Sequence, residues 1–194
     1  MAIENKSAEE KHIRARKMML WFGIISLSMS FAGLLSAFIV SSSRPDWVDD
    51  FVIPTYFTFS TFVIILSSVL VVLAKKAILN NQRSLATNTL LGAFLLGVIF
   101  IVMQFLGFQE ITEQGYYFTG NASNVTASYI YIIAFLHVVH IFSGIIVLGV
   151  VIYNHFKKRY RSGQMLGFEL GATFWHFVDV LWLLLFFFFL YFLG

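Results

Sequence analysis

The chain has 194 residues, 59% of them hydrophobic and 18% aromatic, with a mean hydropathy of +0.82. Charged residues make up only 12%, about half the level usual in soluble domains, which excludes an ordinary water-facing fold and implies an integral membrane protein. The absence of cysteine removes disulfides, thiolate metal ligands and cysteine nucleophiles together. The formal charge of +3 is no nucleic-acid signal, because the basic residues lie in connections between apolar runs.

Residues 1–17 read as a polar N-terminal arm without a signal-peptide pattern, and 18–194 as a single transmembrane domain. Five apolar runs reach the roughly 20 residues that a spanning helix needs. They are placed near 18–42, 53–75, 86–109, 127–153 and 171–193, giving an all-α bundle of five transmembrane helices. The first run mixes Gly23, Ser26, Ser30, Gly33 and Ser36 among large residues. Small residues let helices approach closely in lipid, so this span is predicted to pack tightly through them. The following loop holds Trp47, an interfacial anchor, and ends at Pro54. The second run carries Ser67 and Ser68 and the third Gln104. Neither has an intramembrane charge, so both read as scaffold and partner surface.

A polar loop with two N-x-S/T sequons, at Asn121 and Asn124, leads to the fourth run, where His137 and His140 stand three apart on one helical face. The fifth opens at Glu169 and holds Trp175, His176, Asp179 and Trp182 before the phenylalanine run Phe186 to Phe189, which suits lipid contact. An Asp at the centre of a spanning helix costs about 2.5–3.5 kcal/mol on an insertion scale, so such residues face protein and pair. Glu169, His176 and Asp179 can share one face of a helix. Asp179 is expected to find His176 in its own helix and a further partner on the fourth.

The connections alternate in charge. Twelve of the thirteen Lys and Arg fall in the arm and in the second–third and fourth–fifth connections, leaving Arg44 alone with acidic residues on the other side. The positive-inside bias then predicts a cytoplasmic N-terminus and an external C-terminus.

Two chemistries compete for His137, His140, Glu169, His176 and Asp179. One is a metal or haem site; histidine and carboxylate on facing helices resemble bundle metal centres. The dinuclear pattern, however, requires Glu-x-x-His on two helices and further glutamates on two others, a register this chain lacks. The other is a structural polar core fixing the fourth helix against the fifth, each bond worth about 0.6–2 kcal/mol. A proton relay is intermediate, because intramembrane Asp, Glu and His mark proton routes.

At these residues the chain resembles subunit III of the haem-copper oxidases, the cytochrome c oxidase family. The fullest match is Phe168-Glu169 followed by Trp175-His176-Phe177-Val178-Asp179-Val180-Leu181-Trp182-Leu183, like the family's WHFVDVVWL. His137-x-x-His140 with Gly144, Leu91-Gly92 through Gln104, and Pro54 through Ser67-Ser68 resemble its other shared segments. The likeness covers nearly all of the chain after Lys17 and corresponds to the family's last five helices, as in its short bacterial form. Two family carboxylates are replaced, by Leu27 on the first span and by Gly107 on the third.

The resemblance implies a non-catalytic subunit with no metal or cofactor of its own, the haem and copper lying in partner subunits. It implies direct binding to subunit I, with subunit II as another neighbour and subunit IV left open, bound phospholipid, support of proton uptake, and a bacterial plasma membrane. Glu169, His176, Asp179, His137 and His140 are carried over as a structural polar core. Trp21, Arg161 and Trp175 are carried over as lipid contacts. A quinol oxidase, a nitric oxide reductase and an independent transporter remain alternatives at this point.

Overall fold

The structure, a computed structural model, describes residues 2–45, 47, 51–120, 124–160 and 165–193, with side chains from residue 10 onward. Five helices account for almost all of it: α1 Ala2–Ser41, α2 Thr55–Leu79, α3 Arg83–Glu113, α4 Val125–Phe156 and α5 Leu166–Leu193. All five are long and apolar enough to cross a membrane, and among the described residues there is no strand. The predicted spans fall inside these helices within a few residues. Residues of the polar arm continue α1 without a break from Ala2.

Helix ends are built locally. Three C-termini close with the same pair of backbone bonds. After α2, Asn81 takes φ 57° and Gln82 N–H donates to Ala77 O at 2.8 Å. Gly115 after α3 and Lys158 after α4 do the same, with φ 88° and 57°. At the N-termini of α4 and α2 the donors are met by side chains. Asn124 accepts from Ala127 N–H at 2.7 Å to start α4. Helix α2 starts at Pro54 with no cap of its own; Glu110 of α3 accepts from Thr55 and Tyr56 N–H at 3.0 and 3.4 Å, placing a carboxylate at the positive end of the helix dipole.

α2 packs on α3, α3 on α4, α4 on α5, and α5 back on α2, closing a ring of four. α1 stands outside that ring, against α4 and α5 only. It docks through Ile24, Phe31 and Phe38, one residue every seven, all buried. Phe38 meets Trp47, Tyr129 and Phe188 edge-to-face at 4.8–6.0 Å between ring centres. The small residues predicted to make this contact do not make it: Gly23 and Gly33 face open space. Large rings entering the α4–α5 groove bury more apolar area than the small face could, and that face is turned outward.

One indole is seated deep inside the ring. Trp175 of α5 is 1% exposed and lies where a Cβ on Gly97 of α3 would come within 2.6 Å of it, and a Cβ on Gly144 of α4 within 3.1 Å. Real Cβ atoms do not sit at the first distance, so glycine at 97 is what admits the ring. Gly171 does the same for Val151 at 2.7 Å.

Candidate functional site

α5 touches α1, α2 and α4, and its polar residues are distributed among those contacts rather than gathered. Toward α2, His176 Nδ1 lies 2.6 Å from Ser68 Oγ, and Trp182 Nε1–H donates to Thr61 Oγ1 at 3.0 Å. Asp179, 3% exposed, shares a cavity lining with Ser68 and His176, and neither carboxylate oxygen reaches a hydrogen-bond partner among the described residues. The partner expected on the fourth helix is not there. The α4 side of α5 is taken by Trp175 against Gly144 and by Gly171 against Val151, so the hydroxyl beside Asp179 comes from α2.

The histidine pair lies elsewhere. His137 is fully buried inside a cage of rings, 5.1 Å from Trp182, 6.0 Å from Phe100 and 6.4 Å from Phe31. Neither ring nitrogen has a partner among the described residues. His140, one turn on, places Nδ1 2.7 Å from Leu136 O in its own helix and stacks edge-on against Phe31 at 5.6 Å. Thus the five residues read as one core occupy three places. His176 and Asp179 stand together beside α2. His137 and His140 adjoin the α1–α4 contact, His137 reaching Trp182 of α5. Glu169 pairs with α1.

That last pair is Lys17 Nζ to Glu169 Oε2, 3.1 Å and half exposed. It stands at one end of a cavity of about 510 Å³ between α1, α2 and α5, lined also by Trp21, Lys75 and Val72. A second cavity of about 300 Å³, lined by Ile65, Ser68, Val69, Asp179 and Leu183, continues it; Val72 and His176 line both.

α2 and α3 are joined by two polar links that sequence inspection left as scaffold: Gln104 Nε2–H to Ser60 Oγ at 2.8 Å and Ser67 O–H to Ala93 O at 3.0 Å. Gly107 faces the ring of Phe57 so closely that any side chain would collide with it. Of the expected lipid contacts, Trp21 is 57% exposed, whereas Trp175 points into the ring and meets no lipid. Arg161 lies outside the described residues. The phenylalanine run is likewise divided: Phe186 and Phe189, three apart, are buried, and Phe187 alone is widely exposed.

No three His, Asp or Glu side chains come together among the described residues. The donors present therefore do not fit a haem or metal centre: His137 is walled by rings, His140 is turned to its own carbonyl, and His176 to Ser68. What the arrangement defines is a polytopic membrane bundle with isolated polar links and a groove on one flank.

The family model for cytochrome c oxidase subunit III matches residues 6–194. Cytochrome c oxidase subunit 3 of Spodoptera frugiperda is 32% identical over 127 residues, 66% of this chain and 82% of that protein. The subunit of Petromyzon marinus is 30% identical over 176 residues, 84% of this chain and 64% of its own length. That of Aedes aegypti is 30% identical over 66% of this chain and 46% of its own length, so the chain spans about half the length of several relatives. The chain belongs to the cytochrome c oxidase subunit III family.

Proposed function

We propose that the chain is the non-catalytic subunit III of a respiratory cytochrome c oxidase. It binds and stabilises subunit I, holds phospholipid and supports proton uptake during oxygen reduction, while haem and copper stay in partner subunits, with subunit II a further neighbour. The observation that carries this reading is the family match along residues 6–194 on a bundle of five apolar helices long enough to span a membrane. Glu169 and His176 act as structural links to α1 and α2, His137, His140 and Asp179 contribute by packing, and Trp21 contacts lipid. The twelve basic residues on one side of the spans support a cytoplasmic N-terminus and an external C-terminus, and the membrane it occupies is a bacterial plasma membrane.

The test is Asp179→Ala in the assembled oxidase. Ser68 and His176 already meet each other, and the carboxyl shares their cavity lining without a hydrogen-bond partner among the described residues, so the truncation removes packing between α5 and α2. The expected outcome is a subunit that dissociates more readily in detergent, with normal initial oxygen reduction that decays faster over repeated turnovers. Loss of the initial rate in a normally assembled complex would instead place Asp179 in the chemistry. For the orientation, Thr119→Cys should react with an impermeant thiol reagent from outside the cell and Asn80→Cys should not; the reverse pattern inverts the topology.

A further inference from the structure

The flank where α1 meets α4 carries polar side chains that the bundle leaves unused. Ser41 O–H donates to Tyr129 Oη at 3.0 Å, which fixes the level at which the two helices meet. As the first and fourth of five successive spans they run antiparallel. Ser30, eleven residues before Ser41, therefore stands level with His140, eleven after Tyr129, and the 5.6 Å between the rings of Phe31 and His140 agrees. At 3.6 residues per turn Ser30 lies within about 20° of Ser41 around α1, on the side turned to α4, and Gly23 is in line with them. Ser30 is exposed, and Gly23 has open space before it. One turn from His140, Ser143 is exposed on α4.

Every proton in this patch is used inward. Leu136 O can only accept, so the His140 Nδ1 that lies 2.7 Å from it carries a hydrogen. The neutral ring then keeps a bare Nε2, which makes no hydrogen bond among the described residues. Ser143 O–H donates to Val139 O and Ser30 O–H to Ser26 O, at 3.1 and 3.0 Å. What faces outward is lone pairs, on one nitrogen and two oxygens, negative in potential and without a donor among them. Their complement is an N–H or O–H group.

Depth limits what can bring one. His140 stands in the middle of α4, about 22–24 Å from either end at 1.5 Å per residue, whereas the hydrocarbon core reaches only about 15 Å from the bilayer centre. The phosphates, amines and glycerol oxygens of lipids, and bulk water, lie beyond that distance. At the midplane a lipid offers alkyl chain alone. Polar side chains at that depth face other protein, and Gly23 and Ser30 keep the α1 wall low enough for another helix to approach closely.

We infer that the α1–α4 flank is the docking face for one transmembrane helix of another subunit, which sets a donor side chain against His140 Nε2. The inference rests on the reading of the chain as an oxidase subunit and adds the face and the chemistry of one contact. It also separates the two histidines: His137 is sealed inside the ring, and His140, on the next turn, is the outward acceptor.

The test uses the whole complex, with photoreactive benzoylphenylalanine in place of Ser143 and adducts mapped by mass spectrometry after irradiation in the membrane. The expected adduct joins one spanning segment of another subunit that has an N–H or O–H side chain within a turn of the labelled residue. His140→Phe keeps a ring against Phe31 and removes the acceptor. It should speed loss of that partner in detergent about three- to thirtyfold, the span for one interhelical hydrogen bond in lipid, and His140→Gln, which restores an acceptor, should recover part of the loss. Ser30→Leu, an exposed position on the facing wall, should abolish the adduct by raising that wall. An adduct to lipid alone, to a second copy of this chain or to nothing would overturn the docking face, and so would an adduct indifferent to both His140→Phe and Ser30→Leu. The optical spectrum of the same preparation keeps the two readings apart: a haem-bearing complex without the adduct sinks this inference alone, and the adduct in a preparation without haem sinks the oxidase reading alone.

Discussion

The contacts that α5 makes with its two ring neighbours are built on different physics. Against α4 it packs by shape: Trp175 enters a notch opened by Gly144, with Gly97 of α3 beyond it, Val151 sits on Gly171, and His137 lies against Trp182 with no hydrogen bond among the described residues. Against α2 it is joined by polar links, His176 to Ser68 and Trp182 to Thr61, and α2 is tied onward to α3 by Gln104 and Ser67. In lipid there is no hydrophobic force between helices, so either close packing or hydrogen bonding must hold them. The difference teaches that this bundle uses one on each side of the same helix, and that the charged and aromatic residues most conspicuous in the sequence do not all share one task.

Substitutions at four positions break or sharpen that contrast, each read as thermal unfolding of the full chain in mild detergent. The largest effect belongs to the shape seam. Trp175→Ala should destabilise by about 3–5 kcal/mol, the range for emptying a buried aromatic site; a change below 1 kcal/mol would mean the indole is not seated inside the ring. Gly97→Ala should cost about 1–3 kcal/mol by overpacking, and combining it with Trp175→Phe should recover part of the loss, because the smaller ring vacates the contact. Strict additivity of the two would disprove the notch.

The polar seam should give smaller numbers. Gln104→Leu removes its bond to Ser60 and should cost about 0.6–2 kcal/mol; a loss as large as that of Trp175→Ala would reverse the ranking of the seams. The smallest effect is expected at Lys17. Its pair with Glu169 is half exposed, and such pairs contribute about 0–1 kcal/mol, so Lys17→Ala should scarcely move the unfolding temperature and should lose sensitivity to added salt.

The spans and the family were legible because twenty-residue apolar runs and the segment from Phe168 to Leu183 are local features. Azimuth was not. These helices are apolar nearly all round, so no amphipathic contrast says which neighbour a residue faces. That is why Asp179 was expected to meet the fourth helix and stands instead beside Ser68 of the second, and why Trp175 read as a lipid contact though it is seated inside the ring. The same gap assigned α1 docking to its small residues rather than to Phe31 and Phe38. The Glu110 cap on α2 joins residues about fifty-five positions apart, beyond any local rule. Gly97 and Gly144 were the available clue, since glycines in helix interiors are costly unless a large side chain, here Trp175, needs the room.

The central proposal is that this chain is a structural subunit of an oxidase and carries no redox centre. The direct measurement is purification through a tag on this chain in mild detergent, with subunits identified by mass spectrometry and an optical spectrum taken before and after the chain is stripped away. The account predicts co-purification with a haem-bearing subunit I and a copper-bearing subunit II, and no haem or metal on the separated chain. A chain that purifies alone, or that keeps a stoichiometric haem or metal lost in His140→Ala, would contradict it.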